Sequence, residues 1–409
     1  MLIRPLHRQF PKMLTKPVLV NIFMFTNSLV WYAFAINILE KNVTALQLNF
    51  LENMLIWSIH FVAILFFAFI GVSISKKFGG RIRFLTIWLL LGTLLPFIPL
   101  IFTSNVLIVI LLCFIFGFSF GLGMPTYMGY FISQTPQENR GKIGGFMLLF
   151  TGLGTAGLGQ LISIESIALQ IAILAIWRSV GLAIFLIFKN REASEPPKEA
   201  ISYRRLLGQR SFILYLIPWI MFSLINYLTT PVQFNVLETS VIDNLGVIGN
   251  IFLATFAVVG GFFIDSMGRK RMAIIGFVML GLSYSMIGVF QDISVWYIHT
   301  IINGISWGIL YALFIVTIWG DLSNGGSSDK YYVLGVTPFF ISKFLELTIN
   351  AQIVQAIPVT AIFSFTAFFL FLAVLPLVYA PETLPEKRIK DRELKNYIEK
   401  AQKIKEKNS

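Results

Sequence analysis

Twelve apolar stretches of about the length that crosses a bilayer as a helix, roughly 20 residues, follow one another along this chain and leave it little else to fold into. They run approximately over 18–39, 53–75, 84–102, 105–131, 142–163, 167–188, 211–232, 244–264, 272–290, 293–319, 331–352 and 358–380. Backbone in hydrocarbon must satisfy its own hydrogen bonds, so stretches of this length span as helices. Charged residues make up only 13% of the chain, against roughly 25% in soluble domains, and the mean hydropathy is +0.77. The expected class is an all-α polytopic membrane protein with twelve transmembrane helices.

The net charge of +12 would suit a nucleic-acid binder only if the basic residues formed one face. They instead sit in short segments between apolar stretches, as topology signals and lipid-headgroup contacts do. With the N-terminus in the cytoplasm, the same side receives Arg4 to Lys16, Lys76 to Arg83, Arg140 with Lys142, the basic residues of 189–210, Arg269 to Arg271, Lys330, and everything from Lys387 onward. Of the 32 lysines and arginines, only Lys41, Arg178 and Lys343 fall elsewhere. That asymmetry puts both termini in the cytoplasm of a cell membrane and supports the count, because one span more or fewer would move basic clusters across. The first apolar stretch follows a charged segment as a signal peptide would, but it has full spanning length and no small-residue cleavage site, so it reads as a retained helix. The single cysteine, Cys113, lies in an apolar stretch and rules out an intrachain disulfide or a cysteine-based metal site.

The charged segment 189–210, with Pro196 and Pro197, divides the spans six and six. The expected organisation is a six-helix bundle over 1–188, a cytoplasmic linker over 189–210, a second six-helix bundle over 211–380 and a charged tail over 381–409. The Ile201-Ser-Tyr-Arg-Arg-Leu-Leu part of the linker suits a short helix on the membrane surface. In the tail, Leu394, Tyr397, Ile398, Ala401 and Ile404 recur at helical spacing, predicting a helix near anionic headgroups. The halves also echo each other: Gly71 and Gly261 are 190 residues apart, and Met24-Phe25-Thr26 stands 197 residues before Met221-Phe222-Ser223. Two bundles in parallel repeat allow a binding site between them near the midplane.

Gly261, Asp265, Gly268, Arg269 and Lys270 fit the spacing G-x-x-x-D-x-x-G-R-K in a tight turn between the eighth and ninth stretches. This resembles the loop between paired helices in the major facilitator superfamily of secondary transporters. Pro136 to Gly141 is similar to that family's P-x-x-x-R-G after helix four, and Gly117, Gly121, Gly123 and Pro125 precede it. Glycines 152, 154, 157 and 159 make the fifth helix small-faced, as it often is there. Pro381-Glu382-Thr383 is similar to the P-E-T found after the last span of sugar-porter-like members. There are departures: the first-half loop, Gly71 to Arg81, lacks the acid and is one residue out of register; the fifth helix lacks the Gly-Pro pair of the antiporter signature; and Trp319 to Lys330 does not match the sugar-porter pattern. The resemblance implies transport of a small molecule by alternating access between the halves, with Gly261, Asp265, Gly268, Arg269, Lys270 and Arg140 as gating residues. By the family's pseudo-symmetry Asp265 meets the N-terminus of the fifth helix, near Arg140 and Lys142. Helix capping and topology alone remain the plainer role for the same residues.

Charges within spans cost roughly 2.5–3.5 kcal/mol each on insertion scales and need a reason. Lys343 and Glu346 share a face of the eleventh helix; either they neutralise each other, or Glu346 accepts a proton or a cationic group with Lys343 tuning it. Arg178 suits a structural partner on a peripheral helix better than an anionic ligand, and His60 and His299 suit satisfied interfacial positions better than titrating ones. Asn27, Trp31 and Tyr32 on the first helix, Asn226 and Tyr227 on the seventh, and Trp307 and Tyr311 on the tenth can hydrogen-bond and stack a ligand, or serve as interhelical packing. No phosphate loop, nucleophile with a base, or ligand cluster for a metal stands out, so neither an enzyme nor a cofactor or metal is expected. The expected partners are a small-molecule substrate and the bilayer, with no nucleic acid, for a monomer; a coupling proton or cation is left open. The alternative is a non-transporting sensor or scaffold of the same fold.

Overall fold

A computed structural model of the chain describes residues 15–75, 77–102, 104–159, 166–189, 201–290, 292–323, 326–348 and 358–384, and nearly all of these are helical. The first half comprises α1 (Lys16–Ala45), α2 (Phe50–Ser75), α3 (Arg81–Leu94), α4 (Asn105–Gln134), α5 (Arg140–Gly159) and α6 (Ile167–Phe188). The second comprises α7 (Arg210–Val236), α8 (Thr239–Met267), α9 (Arg269–Val289), α10 (Ile293–Tyr311), α11 (Ser328–Thr348) and α12 (Val359–Leu372). The starts have local causes. Proline opens the first turn of α1, where its missing N–H costs nothing. Ser104, Ser166 and Asp292 cap α4, α6 and α10 with side-chain oxygens that accept from Leu107, Leu169 and Ser294 N–H. After α3 the chain tightens into a 3-10 stretch over Leu95–Ile101, which contains Pro96 and Pro99. α10 passes through π-helical hydrogen bonding over Ala312–Thr317 before a last turn, Ile318–Leu322.

Among the described residues, nine helices are long and apolar enough to cross a membrane. The remaining three of the twelve are α5, α7 and α11; α5 is glycine-rich and opens on Arg140 and Lys142, and α11 carries Asp329, Lys330, Lys343 and Glu346. The same pairings recur in both halves. α1 packs on α5 and α6, α2 on α4, and α3 on α6; correspondingly α7 packs on α11 and α12, α8 on α10, and α9 on α12. The halves meet through α5 against α8, α2 and α4 against α11, and α5 against the π-helical part of α10.

Glycine permits the closest of these contacts, as expected where helices in lipid gain little from apolar burial and rely on close packing. A Cβ on Gly121 would lie 2.2 Å from Ile64 O across α4/α2, and one on Gly308 would lie 2.5 Å from Leu253 O across the matching α10/α8 pair. Part of the linker is visible as a short helix, Tyr203–Leu207, capped by Ser202. It lies against the bundle: the Tyr203 ring is 5.0 Å from that of Phe69, and Lys330 Nζ donates to Ile201 O at 2.7 Å. The rest of the linker, the expected tail helix and the first fourteen residues lie outside the described residues.

Packing of this density gives paired glycines opposite fates. At Gly123 an added Cβ would sit 2.1 Å from the buried Trp88 ring, whereas at Gly157 it would meet nothing within 4 Å. Gly123→Ala is expected to cost about 1–3 kcal/mol through overpacking and to lower the thermal unfolding midpoint in detergent. Gly157→Ala is expected to leave the midpoint unchanged or raise it slightly.

Candidate functional site

The turn after α8 sits at the end of the molecule that carries the basic loops, called here the loop end. Gly268 adopts φ 103°, a conformation that suits glycine, and a Cβ there would lie 2.5 Å from Glu382 Oε2. Glu382, from the segment after α12, accepts from the N–H groups of Arg269 (2.8 Å) and Lys270 (3.1 Å), so it caps α9. Asp265, at the end of α8, caps a helix of the other half: its oxygens accept from Gly141 N–H at 2.9 Å and Lys142 N–H at 2.8 Å, at the N-terminus of α5. The helix dipole and two orphan N–H groups both favour a carboxylate there. Gly141 and Gly261 bring the backbones together, since a Cβ on Gly261 would lie 2.3 Å from Gly141 O.

These contacts belong to a larger buried network. Arg269 pairs with Asp265 at 2.9 Å and donates through Nε to Asp321 Oδ2 at 2.9 Å. Arg140, from the other half, donates to Asp321 Oδ1 at 2.7 Å. Further guanidinium N–H groups donate to carbonyls, Arg140 Nη2 to Ile132 and Thr135, Arg269 Nη1 to Ile264 and Nη2 to Gln137, while Arg140 Nε is buried without a partner. Two arginines and two aspartates thus neutralise each other across the boundary between halves. Asp321 lies on the turn beyond the π-helical stretch of α10, whose extra residue per turn shifts the phase of the helix after it. Lys270 points away from this centre and donates to Val378 O at 2.7 Å.

The equivalent first-half loop has no acid of its own, yet its site is not empty of one. Arg81, at the start of α3, pairs at 3.0 Å with Asp329 in the first turn of α11. The carboxylate has moved from the loop to the facing helix, and Gly129 makes room for it, since a Cβ there would lie 1.5 Å from Asp329 Oδ1. Both seams between the halves are therefore tied at the loop end.

Beyond these ties, toward the opposite or far end, a cavity of about 790 Å3 lies between the halves. Its walls are largely apolar, with Tyr32, Tyr311, Asn250 and Thr151 among the polar exceptions and Glu40 and Lys343 near its rim. Tyr32 stacks on Phe120 at 4.0 Å and its hydroxyl is 3.3 Å from His60 Nε2, while His60 Nδ1 is 2.9 Å from Cys113 O. Tyr311 also borders a second chamber of about 420 Å3, lined by Trp307, His299, Asn303 and Gln233.

The other residues singled out from sequence are distributed unevenly. Lys343 and Glu346 pair at 3.2 Å near the far end of α11, and Lys343 lies 3.9 Å from Glu40 on α1. Asn27 and Trp31 are turned from the cavity because Arg178 needs them. Its Nη1 donates to Ser28 Oγ (2.9 Å) and Asn27 Oδ1 (3.3 Å), and its guanidinium lies 4.3 Å from the Trp88 ring centre and 5.3 Å from that of Trp31. Asn27 also donates to Trp177 O at 2.6 Å. His299 is buried against Ser283 Oγ at 2.7 Å. The side chains of Asn226 and Tyr227 lie outside the described residues. Asp321, Asp329, Arg81, Glu382 and Glu40 were not among the residues selected from sequence. A signal existed for the first two: each is an acid abutting a span on the side that otherwise collects bases.

A family model described as Major Facilitator Superfamily matches residues 18–318. No curated protein sequence matches the chain. Among solved structures, the chain is similar in fold to the proton:xylose symporter XylE bound to 6-bromo-6-deoxy-D-glucose, with 15% identity, 90% of this chain and 96% of that chain covered, and a TM-score of 0.68. It is likewise similar to the human organic anion transporter MFSD10, with 12% identity, 88% and 99% coverage, and a TM-score of 0.69. At such identities the likeness is one of fold.

Deleting one member of a buried, neutral network leaves an uncompensated charge, whereas a rim ammonium that is 25% exposed keeps some of its water. Asp321→Ala is expected to cost about 3–5 kcal/mol, and Lys343→Gln at most about 1 kcal/mol. Thermal unfolding of the two purified variants checks the contrast.

Proposed function

The chain belongs to the Major Facilitator Superfamily, and from that premise we propose that it is a secondary active transporter, moving a small molecule by alternating access between halves spanning 1–188 and 211–380. The observation that carries the reading is the opposition of the two ends: buried ion pairs close the loop end while a cavity between the halves extends to the far end. With the basic loops and both termini in the cytoplasm, the conformation is closed to the cytoplasm and open outward. Arg140, Asp265, Arg269 and Asp321 form the inner gate; Gly261 and Gly268 allow its close approach, and Lys270 and Glu382 anchor the turn that carries it. Tyr32, Tyr311 and Trp307 contact substrate, and Glu40, Lys343 and Glu346 guard the mouth. Proton coupling is assigned to this cluster, in which the carboxylates of Glu40 and Glu346 flank the Lys343 ammonium at 3.9 and 3.2 Å. The role is transport, not catalysis, by a monomer that takes no cofactor.

A ligand that binds the native state raises its stability by RT ln(1 + [L]/Kd), so a thermal-shift screen against pooled metabolites and drugs can pick out the substrate. Its hits are then carried into phosphatidylcholine vesicles holding the protein. The transporter reading expects uptake into the vesicle lumen, slowed at least ten-fold by Asp265→Asn, with Glu346→Gln abolishing any dependence on a pH gradient. Binding without uptake would favour a sensor or scaffold of the same fold.

A further inference from the structure

The two seams between the halves differ toward the far end. Along α2/α11, contact continues: the Phe61 and Phe344 rings are 5.8 Å apart, and Asn53 Nδ2 donates to Leu347 O at 3.2 Å. Along α5/α8, it fades step by step. An added Cβ would lie 2.3 Å from the facing backbone at Gly261 and at Gly145, but 3.8 Å from the nearest atom, Ala254 Cβ, at Gly152. At Gly157 and Gly159 of α5, and at Gly246 of α8, it would meet nothing within 4 Å among the described residues.

The residues along the parted stretch line the cavity and stay largely uncovered. Leu153 of α5 and Val247 and Ile251 of α8 line the cavity, yet they are 61%, 61% and 59% exposed. Depth decides what they face. At 1.5 Å per residue, Ile251 and Val247 stand about 21 and 27 Å along α8 from Asp265, within the roughly 30 Å of hydrocarbon. A slot walled by leucine, valine and isoleucine at that depth opens to acyl chains.

Charge is arranged around the same opening. Glu40 lies at the rim, 3.9 Å from a Lys343 already engaged at 3.2 Å by Glu346. Glu238 and Asp243 stand exposed where α8 begins, just beyond Val247. At this end the carboxylates of Glu40, Glu238, Asp243 and Glu346 outnumber the ammonium groups of Lys41 and Lys343, an excess complementary to a cation carried on an apolar body.

We propose that the parted far half of the α5/α8 seam is a lateral portal, through which an amphiphile dissolved in the outer leaflet, with an apolar tail and a cationic head, enters the cavity. The tail occupies the apolar walls and the head stays at the Glu40 rim. This names the substrate class for the transporter proposed above and rests on that reading for every step after entry. Access itself can be measured separately.

Ala33 on α1 lines the cavity, and the native Cys113 is fully buried, so Ala33→Cys reports access in the full chain. In phosphatidylcholine vesicles it is treated with bilayer-dissolved pyrenylmaleimide or with a membrane-impermeant sulfonated thiol reagent. The portal expects the bilayer reagent to react at least ten-fold faster, and expects Leu153→Trp with Ile251→Trp, which fills the slot, to slow it at least ten-fold. Faster reaction with the sulfonate, or no effect of filling the slot, overturns the portal while leaving the transporter reading to its own uptake assay. Dodecyltrimethylammonium below its solubilising concentration is expected to protect the cysteine, less so in Glu40→Gln. Equal protection by tetramethylammonium overturns the apolar tail, and equal protection by dodecyl sulfate overturns the cationic head. Thermal unfolding of each variant verifies that it is folded.

Discussion

Asp321 receives Arg140 from one half and Arg269 from the other, in a place closed to water, and the rest of the loop end is arranged to make that tolerable. Burying an isolated charge is prohibitive, so each guanidinium is matched by a carboxylate, and its other N–H groups, apart from Arg140 Nε, by backbone carbonyls. Asp265 supplies the second carboxylate and uses its oxygens to cap α5 across the boundary. Such a network has little intermediate value. Fully assembled, its two arginines and two aspartates are mutually neutralised; partly opened it leaves charges without partners, unless water enters and hydrates them all. That is the physical basis for an end that is either closed or open.

The far end is built by the opposite rule. There Lys343 approaches Glu40 across the halves loosely, at the outer limit of an ion-pair contact and partly exposed. Exposed pairs contribute little and are readily exchanged for water or a ligand. A firm buried gate at one end and a weak exposed one at the other give the two halves a preferred closed side without locking them. The glycines of α5 serve both regimes, admitting backbone contact at Gly141 and Gly145 and leaving α5 smooth where it parts from α8.

The membrane class, the helix succession and the tie between Asp265 and the start of α5 were legible in the sequence because each depends on local pattern: apolar length, basic asymmetry, and an acid at fixed spacing from glycine and arginine. Asp321 was not, because its position depends on the π-helical stretch before it, and nothing in Ala312–Thr317 announces the extra residue. The pairing of Arg81 with Asp329 was hidden because the acid had crossed to a helix 248 residues away, so the first-half loop read as lacking one. Asn27 and Trp31 have the composition of a binding face, but which way a helix turns is set by its neighbours, here by the demand of Arg178 for acceptors and rings. Lys343 and Glu346 share a face as the spacing implied, and they stand further along α11 than expected because it begins at Ser328, ahead of 331.

The buried network as the device that holds the loop end shut is tested most directly by paired distance measurements on spin-labelled protein in lipid nanodiscs. One pair of labels, Ser133→Cys with Ser266→Cys, spans the halves at exposed sites of the loop end; the other, Lys41→Cys with Ser240→Cys, spans them at the far end. Introducing Asp321→Asn is predicted to lengthen the first distance and shorten the second in the same sample, as the halves rock about the cavity. Distances unchanged at both ends would contradict the account, because the network would then be a structural weld and not a gate.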